Sequence, residues 1–123
     1  MRIIHYSFSF CYALDILILR NLERGIRMKE SQFQSNLIKE LKERFQGCIV
    51  TKLDSGYIQG IPDLLILWRN RWATLECKKS RSSSRRPNQE YYVSKMDEMS
   101  FSRFICPENK EEVLNDLEQT FRS

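Results

Sequence analysis

The chain has 123 residues, of which 41% are hydrophobic and 29% charged, a composition typical of one folded domain and unlike that of a disordered chain or a membrane bundle. A single histidine excludes a multi-histidine zinc site, and the net charge of +4 is too small to identify a partner by itself. The four cysteines are widely spaced without a C-x-x-C motif, so reduced thiols are expected instead of zinc knuckles or a disulfide framework.

The first 27 residues differ from the rest of the chain. The mostly apolar stretch from Ile3 to Leu19 is short for a membrane span, and no signal-peptide cleavage site follows it. A third interpretation, which we favour, is that translation starts at Met28. We therefore expect an N-terminal extension over residues 1–27 and a single domain over residues 28–123.

The first element of this domain is a predicted helix. Residues Glu30 to Gln46 carry apolar side chains at four-residue spacing, which indicates one buried stripe. Ser31 is a candidate N-cap. Glu40 and Glu43 fall off the stripe and are expected in solvent. The stripe consists of Phe33, Leu37, Leu41 and Phe45.

Three strands and a loop come next. Strands are predicted over Cys48–Leu53, Asp63–Trp68 and Arg71–Lys78, and the last two form a hairpin around the two-residue turn Arg69-Asn70. A basic, serine-rich loop follows over Ser80–Arg86.

The remainder alternates helix, strand and helix. Pro87 suits the first turn of the second helix, a short strand is predicted over Arg103–Cys106, and an amphipathic helix over Glu108–Phe121. The order α-β-β-β-α-β-α predicts an α/β fold with a mixed sheet flanked by helices. The expected inner residues of the second helix are Tyr92, Met96 and Met99.

Charge is unevenly distributed along these elements. Seven basic residues and one acid lie between Arg69 and Arg86, whereas Glu108 to Glu118 holds five acids and one lysine. Such polarity suggests a basic face for a polyanion and an acidic face elsewhere. Two solvated surfaces without any partner would give the same pattern.

The predicted hairpin brings charged residues together at its open end. A two-residue turn places Asp63 opposite Glu76, and directly opposed residues have Cβ atoms roughly 4.5–5.5 Å apart on one face. Lys78 lies two residues beyond Glu76 and shares its face, whereas Cys77 and Lys79 point to the other face.

Two carboxylates in such proximity repel each other unless a cation lies between them. Because no histidine is available nearby, a hard divalent ion such as Mg²⁺ or Mn²⁺ fits this pair. Such an ion polarises a phosphodiester, and Lys78 could orient or activate the attacking water. The alternative is structural: Asp63 caps the start of its strand, while Glu76 and Lys78 form a surface ion pair.

The sequence context of these residues is more specific than the residues alone. It consists of Gly60-Ile61-Pro62-Asp63, then Leu75-Glu76-Cys77-Lys78-Lys79-Ser80, then Pro87-Asn88-Gln89. This combination resembles the PD-(D/E)XK nuclease superfamily, and within it the small phage-encoded VRR-NUC and Holliday-junction-resolvase-like endonucleases. The resemblance covers roughly Lys29 to Leu117 and implies a restriction-endonuclease-like core with metal-dependent phosphodiester cleavage.

The same resemblance implies further site residues. Glu30 corresponds to the glutamate that such families carry in the first helix, and Gln89 to the glutamine that follows the E-x-K strand. The backbone carbonyl of Cys77 would complete the metal site of Asp63 and Glu76. A charge at a frayed helix end and a polar residue at a helix start are the simpler interpretations of Glu30 and Gln89. The residues expected to contact DNA are Lys79, Arg81, Arg85 and Arg86.

Together these observations predict a Mg²⁺-dependent DNA endonuclease, with Mn²⁺ as a substitute, acting on branched DNA in phage recombination, repair or processing. A homodimer is expected because symmetric cleavage of two strands needs two sites. We expect no membrane partner and no small-molecule substrate, and the cytoplasm of a bacterial host as the location. Two alternatives stay open: a non-catalytic nucleic-acid-binding module of the same fold, and a phage-encoded inhibitor that binds a host protein through its acidic helix.

Overall fold

The computed structural model describes residues 30–123, so the predicted extension over residues 1–27 and the proposed start at Met28 lie outside the described residues. The observed order α-β-β-β-α-β-α confirms the predicted fold class. The elements are α1 (Glu30–Arg44), β1 (Ile49–Lys52), β2 (Leu64–Trp68), β3 (Arg71–Cys77), α2 (Pro87–Met99), β4 (Ser102–Ile105) and α3 (Lys110–Arg122).

Within the described part of the chain, the strands form one mixed sheet in the order β1-β2-β3-β4. The first three strands are antiparallel neighbours, whereas β4 runs parallel to β3. A parallel neighbour requires a crossover connection, and α2 supplies it while packing against both β3 and β4. The sheet therefore carries α2 beside the ends of the hairpin strands.

The hydrophobic core lies between the sheet and the helices α1 and α3. Leu37 and Leu41 of α1 and Leu114 and Leu117 of α3 are buried there. Side chains two apart in a strand point to the same face, so alternate residues of β2 and β3 meet these helices. Those strand residues are Leu64, Ile66, Trp68, Ala73, Leu75 and Cys77.

Three aromatic rings hold the turn end of the hairpin to both helices. The ring centroid of Phe45 lies 5.2 Å from those of Trp68 and Phe121, and the latter two rings stack at 5.9 Å. The Nε1–H of Trp68 donates to the carbonyl of Gln46 at 3.0 Å, which satisfies its polar atom. The turn end of the hairpin is thus held against the helices by apolar packing.

Two local predictions are wrong. Ser31 lies inside α1, which already includes Glu30, so it is not the N-cap. Met99 is 67% exposed, because it lies roughly 120° around the helix from Val93, the buried residue of α2. Where an observed strand boundary differs from the predicted one, the difference is a single residue.

Two further findings concern cysteines and membranes. Cys48, Cys77 and Cys106 are free thiols, as predicted, and Cys11 lies outside the described residues. No helix within residues 30–123 has the length and apolar character to cross a bilayer.

Candidate active site

The β2–β3 hairpin fixes the register on which the site depends. Trp68 pairs with Arg71 and Leu64 with Leu75, which confirms the predicted two-residue turn. Arg69 in that turn has a φ of 58°, the left-handed conformation that tight hairpin turns require. Because side chains alternate along strands, this register brings the residue before β2 beside the end of β3.

Asp63 is the residue directly before β2. Its Oδ2 accepts a hydrogen bond from the backbone N–H of Cys77 at 2.8 Å, and its carbonyl accepts one from the N–H of Leu53 at 2.9 Å. Asp63 is thereby held between the ends of β1 and β3. The alternative interpretation, in which Asp63 caps the start of its strand, is consistent with these hydrogen bonds. They do not neutralise the negative charge of the Asp63 carboxylate.

Glu76 is buried, with only 4% of its surface exposed. Its Oε2 accepts a hydrogen bond from Gln89 Nε2 at 2.8 Å and lies 3.9 Å from Lys78 Nζ, while its Oε1 is buried without any hydrogen-bond partner. A surface ion pair, which the alternative interpretation expected, is therefore wrong for Glu76. A buried carboxylate oxygen without a partner is costly and calls for a ligand.

Burial and mutual repulsion make both carboxyl groups weaker acids. Burial, as the largest cause, and the charge of Asp63 together raise the pKa of Glu76 from 4.5 to about 7, against the opposing charge of Lys78. Burial also raises the pKa of Asp63 above its ordinary value, opposed by the N–H of Cys77 and by Lys78. One ammonium group therefore does not neutralise this pair of carboxylates.

Gln89 links the charged groups to the start of α2. Its Oε1 accepts hydrogen bonds from Lys78 Nζ at 2.9 Å and from the N–H of Arg86 at 3.1 Å. Its Nε2 donates to Glu76, so donors on one side and a carboxylate on the other fix the orientation of the amide. The structure thus places Gln89 in contact with both Lys78 and Glu76.

Three other predicted site residues lie around this centre. Cys77 directs its buried thiol to the opposite, core-facing side, where burial raises its pKa to about 12. Lys79 lies beyond the end of β3 and is exposed to solvent. Glu30 is the first residue of α1 and is exposed. Burial is the main cause of the raised pKa of Glu76, and the charge of Glu30 makes only a minor contribution to it.

The donor set fits a hard divalent cation. Glu76 Oε1 lacks a partner, and the carboxyl group of Asp63 lies beside it. Residues 30–123 contain no cluster of three or more histidine, cysteine, aspartate or glutamate side chains placed to hold a metal. Mg²⁺ commonly binds through one or two carboxylates and keeps several water molecules, so two carboxylates are enough for this ion.

A cleft of about 490 Å³ opens over the two carboxylates. One wall is the loop that precedes β2, and the other is the start of α2 with Arg86. Sequence reasoning did not find the polar residues that line these walls, because nothing in their spacing shows that the two segments meet. They are Ser55, Gln59 and Asn88.

The basic residues of the loop lie near this cleft. Arg86 lines it directly, while Arg81 and Arg85 line a neighbouring cavity of about 40 Å³ together with Lys78. The guanidinium of Arg85 lies 4.1 Å from the ring centroid of Phe104, which holds it in place. The three arginines thus form one exposed basic surface beside the carboxylates.

Two of the four acidic residues of α3, Glu111 and Glu118, form ion pairs within the molecule. Arg44 of α1 contacts Glu118 at 3.3 Å and Glu111 at 3.4 Å, and Lys110 contacts Glu40 at 2.9 Å. The expectation that Glu40 lies free in solvent is therefore wrong, because α3 packs beside it. These pairs leave less negative charge on α3 for a protein partner than the sequence suggested.

Among solved structures, a protein described as a VRR_NUC domain is similar to this chain. The identity is 29%, the match covers 58% of this chain and 81% of that chain, and the TM-score is 0.46. The printed description of that protein names the group of nucleases that the motifs of this chain resemble. No family model and no curated protein matches the chain.

Proposed function

We propose that this protein is a divalent-metal-dependent nuclease that hydrolyses phosphodiester bonds in DNA. The observation that carries the proposal is the buried Glu76 carboxylate, whose Oε1 has no partner and which lies beside Asp63 at the floor of an open cleft. Buried excess negative charge is unfavourable unless a cation neutralises it. A cleft above it gives a phosphate group access to that cation.

Asp63 and Glu76 would hold Mg²⁺, or Mn²⁺ in its place, with the backbone carbonyl of Cys77 as a further ligand. When bound, such an ion polarises the phosphate and lowers the pKa of a coordinated water molecule. The hydrogen bond from the Cys77 N–H holds the Asp63 carboxylate at the site, so little reorganisation is needed when an ion binds.

Lys78 and Gln89 would act on the attacking water and on the negative charge that develops on phosphate. An ammonium group donates three hydrogen bonds, and Lys78 Nζ uses one of them on Gln89. Its remaining donors can orient the water or a phosphate oxygen. Gln89 would hold the side chains of Lys78 and Glu76 in position through its hydrogen bonds to both. Glu30, at the start of α1, would add negative charge near the metal site.

DNA is the proposed substrate because the carboxylates lie beside basic residues. Arg86 on the cleft wall and Arg81 and Arg85 next to it can donate to phosphate oxygens, with Lys79 adding positive charge. We further propose branched DNA as the preferred form and a homodimer as the active species, since paired incisions on two strands require two sites. Recombination, repair or processing of phage DNA is the corresponding role.

Cleavage assays test this proposal directly. A four-way junction, a nicked duplex and single-stranded DNA are each incubated with the protein in Mg²⁺, Mn²⁺ or EDTA, with Asp63→Asn as the matched inactive control. We expect cleavage of at least one substrate in Mg²⁺ or Mn²⁺, and none in EDTA or with the variant. DNA binding without cleavage under any metal condition would instead support a non-catalytic binding module.

A further inference from the structure

Tyr57 is the most exposed large apolar or aromatic side chain among residues 30–123, with 85% of its surface in solvent. It lies in the loop between β1 and β2, between Ser55 and Gln59, which both line the cleft over the carboxylates. The ring is therefore carried by the loop that forms one wall of the cleft, and it does not itself line the cleft. An aromatic ring left in water at the edge of a site is available to stack on a flat ligand.

The loop that carries Tyr57 is tied down by hydrogen bonds. The carbonyl of Asp54 accepts bonds from the N–H groups of Tyr57 at 3.1 Å and Ile58 at 3.2 Å. The Asp54 side chain also accepts a bond from the N–H of Gly56 at 2.8 Å. Such an Asx turn gives the segment a defined shape. Tyr57 is therefore presented by an ordered turn.

The far end of this loop is fastened to α2. Gly60 has a φ of +92°, and a Cβ atom placed there would lie 2.5 Å from the Cβ of Asn88. Only glycine allows this close approach, so the loop and the start of α2 are joined across the cleft. That contact brings the end of the loop that carries Tyr57 against the start of α2.

Tyr57 is also close to the carboxylates along the backbone. Leu53 bonds to Asp63 at 2.9 Å, Asp54 follows Leu53, and Tyr57 bonds to Asp54. Two hydrogen bonds and one peptide bond therefore connect the backbone of Tyr57 to that of Asp63. A nucleotide next to the one that is cut would lie within reach of the ring.

We infer that Tyr57 stacks on an unpaired base next to the scissile phosphate and thereby selects DNA whose strands are separated at the site. This inference rests on the proposed nuclease function and specifies its substrate. Base faces inside a duplex are covered by their neighbours, whereas an unpaired base offers its face to an aromatic ring. Phosphate contacts by Arg86 would hold the strand but carry no information about pairing.

Binding measurements in EDTA test the inference without relying on cleavage. Two DNAs of the same length and composition are compared, one fully paired and one with a forked, unpaired end, and 2-aminopurine at the fork reports stacking. We expect Tyr57→Ala to weaken binding of the forked DNA by about 5- to 100-fold, and to leave the paired duplex unchanged. Tyr57→Phe keeps the ring and should retain both the affinity and the fluorescence quenching.

Tyr91 provides the matched control, since it is a tyrosine that is 58% exposed and it belongs to α2, outside the loop that carries Tyr57. Tyr91→Ala should bind both DNAs like the wild-type protein. Equal losses on both DNAs from Tyr57→Ala, no loss at all, or no measurable binding of the forked DNA by the wild-type protein would overturn the inference. A protein that prefers the fork through Tyr57 yet cuts nothing in Mg²⁺ or Mn²⁺ would keep the inference and contradict the proposed nuclease function.

Discussion

Two clusters of charged residues in this protein differ in burial and in balance. Between α1 and α3, three carboxylates face three cations at distances of 2.9–3.4 Å, and these side chains are partly exposed; they are Glu40, Glu111 and Glu118 with Arg44, Lys110 and Arg122. At the open end of the β2–β3 hairpin, two carboxylates share one ammonium group, and one of the carboxylates is almost fully buried.

This difference indicates that the α1–α3 cluster has a structural role, whereas the hairpin cluster is a candidate functional site. Exposed, balanced ion pairs are worth about 0–1 kcal/mol each and need no further partner. A buried excess of negative charge costs free energy in the folded protein, and it persists only where something else compensates for it. The hairpin cluster is therefore the part of the molecule at which function should be tested.

The largest expected effect is on cleavage. Glu76→Gln and Lys78→Ala should each lower the cleavage rate by roughly 10²–10³-fold or more, because they remove a metal ligand and the donor to water or phosphate. Single-turnover rates in Mg²⁺ measure this. Lys79→Ala is the matched control, since its side chain is exposed and turned away, and an equal loss from Lys78→Ala and Lys79→Ala would show that the assigned register is wrong.

The second effect is on stability in the absence of metal. The pKa of Glu76 is raised in the folded protein from 4.5 to about 7, so the folded state keeps a proton that the unfolded chain releases. Stability should therefore fall as the pH rises from about 4.5 to 7, by about 3 kcal/mol at roughly 1.4 kcal/mol for each pH unit, and then level off.

Urea unfolding in EDTA across this pH range measures that slope. Glu76→Gln cannot ionise and should lose this part of the pH dependence, becoming more stable than the wild-type protein near pH 8. Glu118→Gln, from the exposed cluster, should change stability by less than about 1 kcal/mol and keep the wild-type slope. Parallel pH profiles for the wild-type protein and Glu76→Gln would contradict the burial of an ionisable group.

A smaller loss is expected from Gln89→Ala. The substitution leaves the metal ligands in place but removes the hydrogen bonds that orient Glu76 and Lys78, so cleavage should slow by about 10- to 100-fold. The comparison variant is Gln119→Ala, an exposed glutamine of α3, which should cut at the wild-type rate. Wild-type cleavage by Gln89→Ala would mean that Gln89 only starts its helix.

The smallest expected effect on chemistry comes from the basic loop. Replacing Arg81, Arg85 and Arg86 with alanine should weaken DNA binding regardless of sequence and lower the salt slope by up to about three units, while the single-turnover rate at saturating protein changes little. Binding titrations in EDTA over a salt series measure the slope. An unchanged slope would show that DNA binds to another face of the protein. Replacing the three exposed lysines Lys39, Lys42 and Lys95 with alanine is the control for the loss of positive charge.

The charged residues at the end of the hairpin could be predicted from the sequence, whereas the segments that form the walls of the cleft could not. A two-residue turn and strand alternation are local rules, and they were sufficient to bring Asp63, Glu76 and Lys78 together. The contact of Gly60 with Asn88 joins segments far apart in the chain, and no local pattern encodes it. The ion pair of Glu40 cannot be predicted from the sequence either, because its partner Lys110 lies on α3 and no local pattern encodes how α3 packs beside α1.

Binding of Mn²⁺ to the metal-free protein tests the central claim most directly. Free Mn²⁺ is measured by electron paramagnetic resonance during a titration of the wild-type protein, Asp63→Asn, Glu76→Gln and Glu118→Gln. We expect a binding site in the wild-type protein that survives in Glu118→Gln and is weakened at least about tenfold in the two hairpin variants. No binding by the wild-type protein at millimolar Mn²⁺, or equal binding by Asp63→Asn, would contradict the assignment of this carboxylate pair as a metal site.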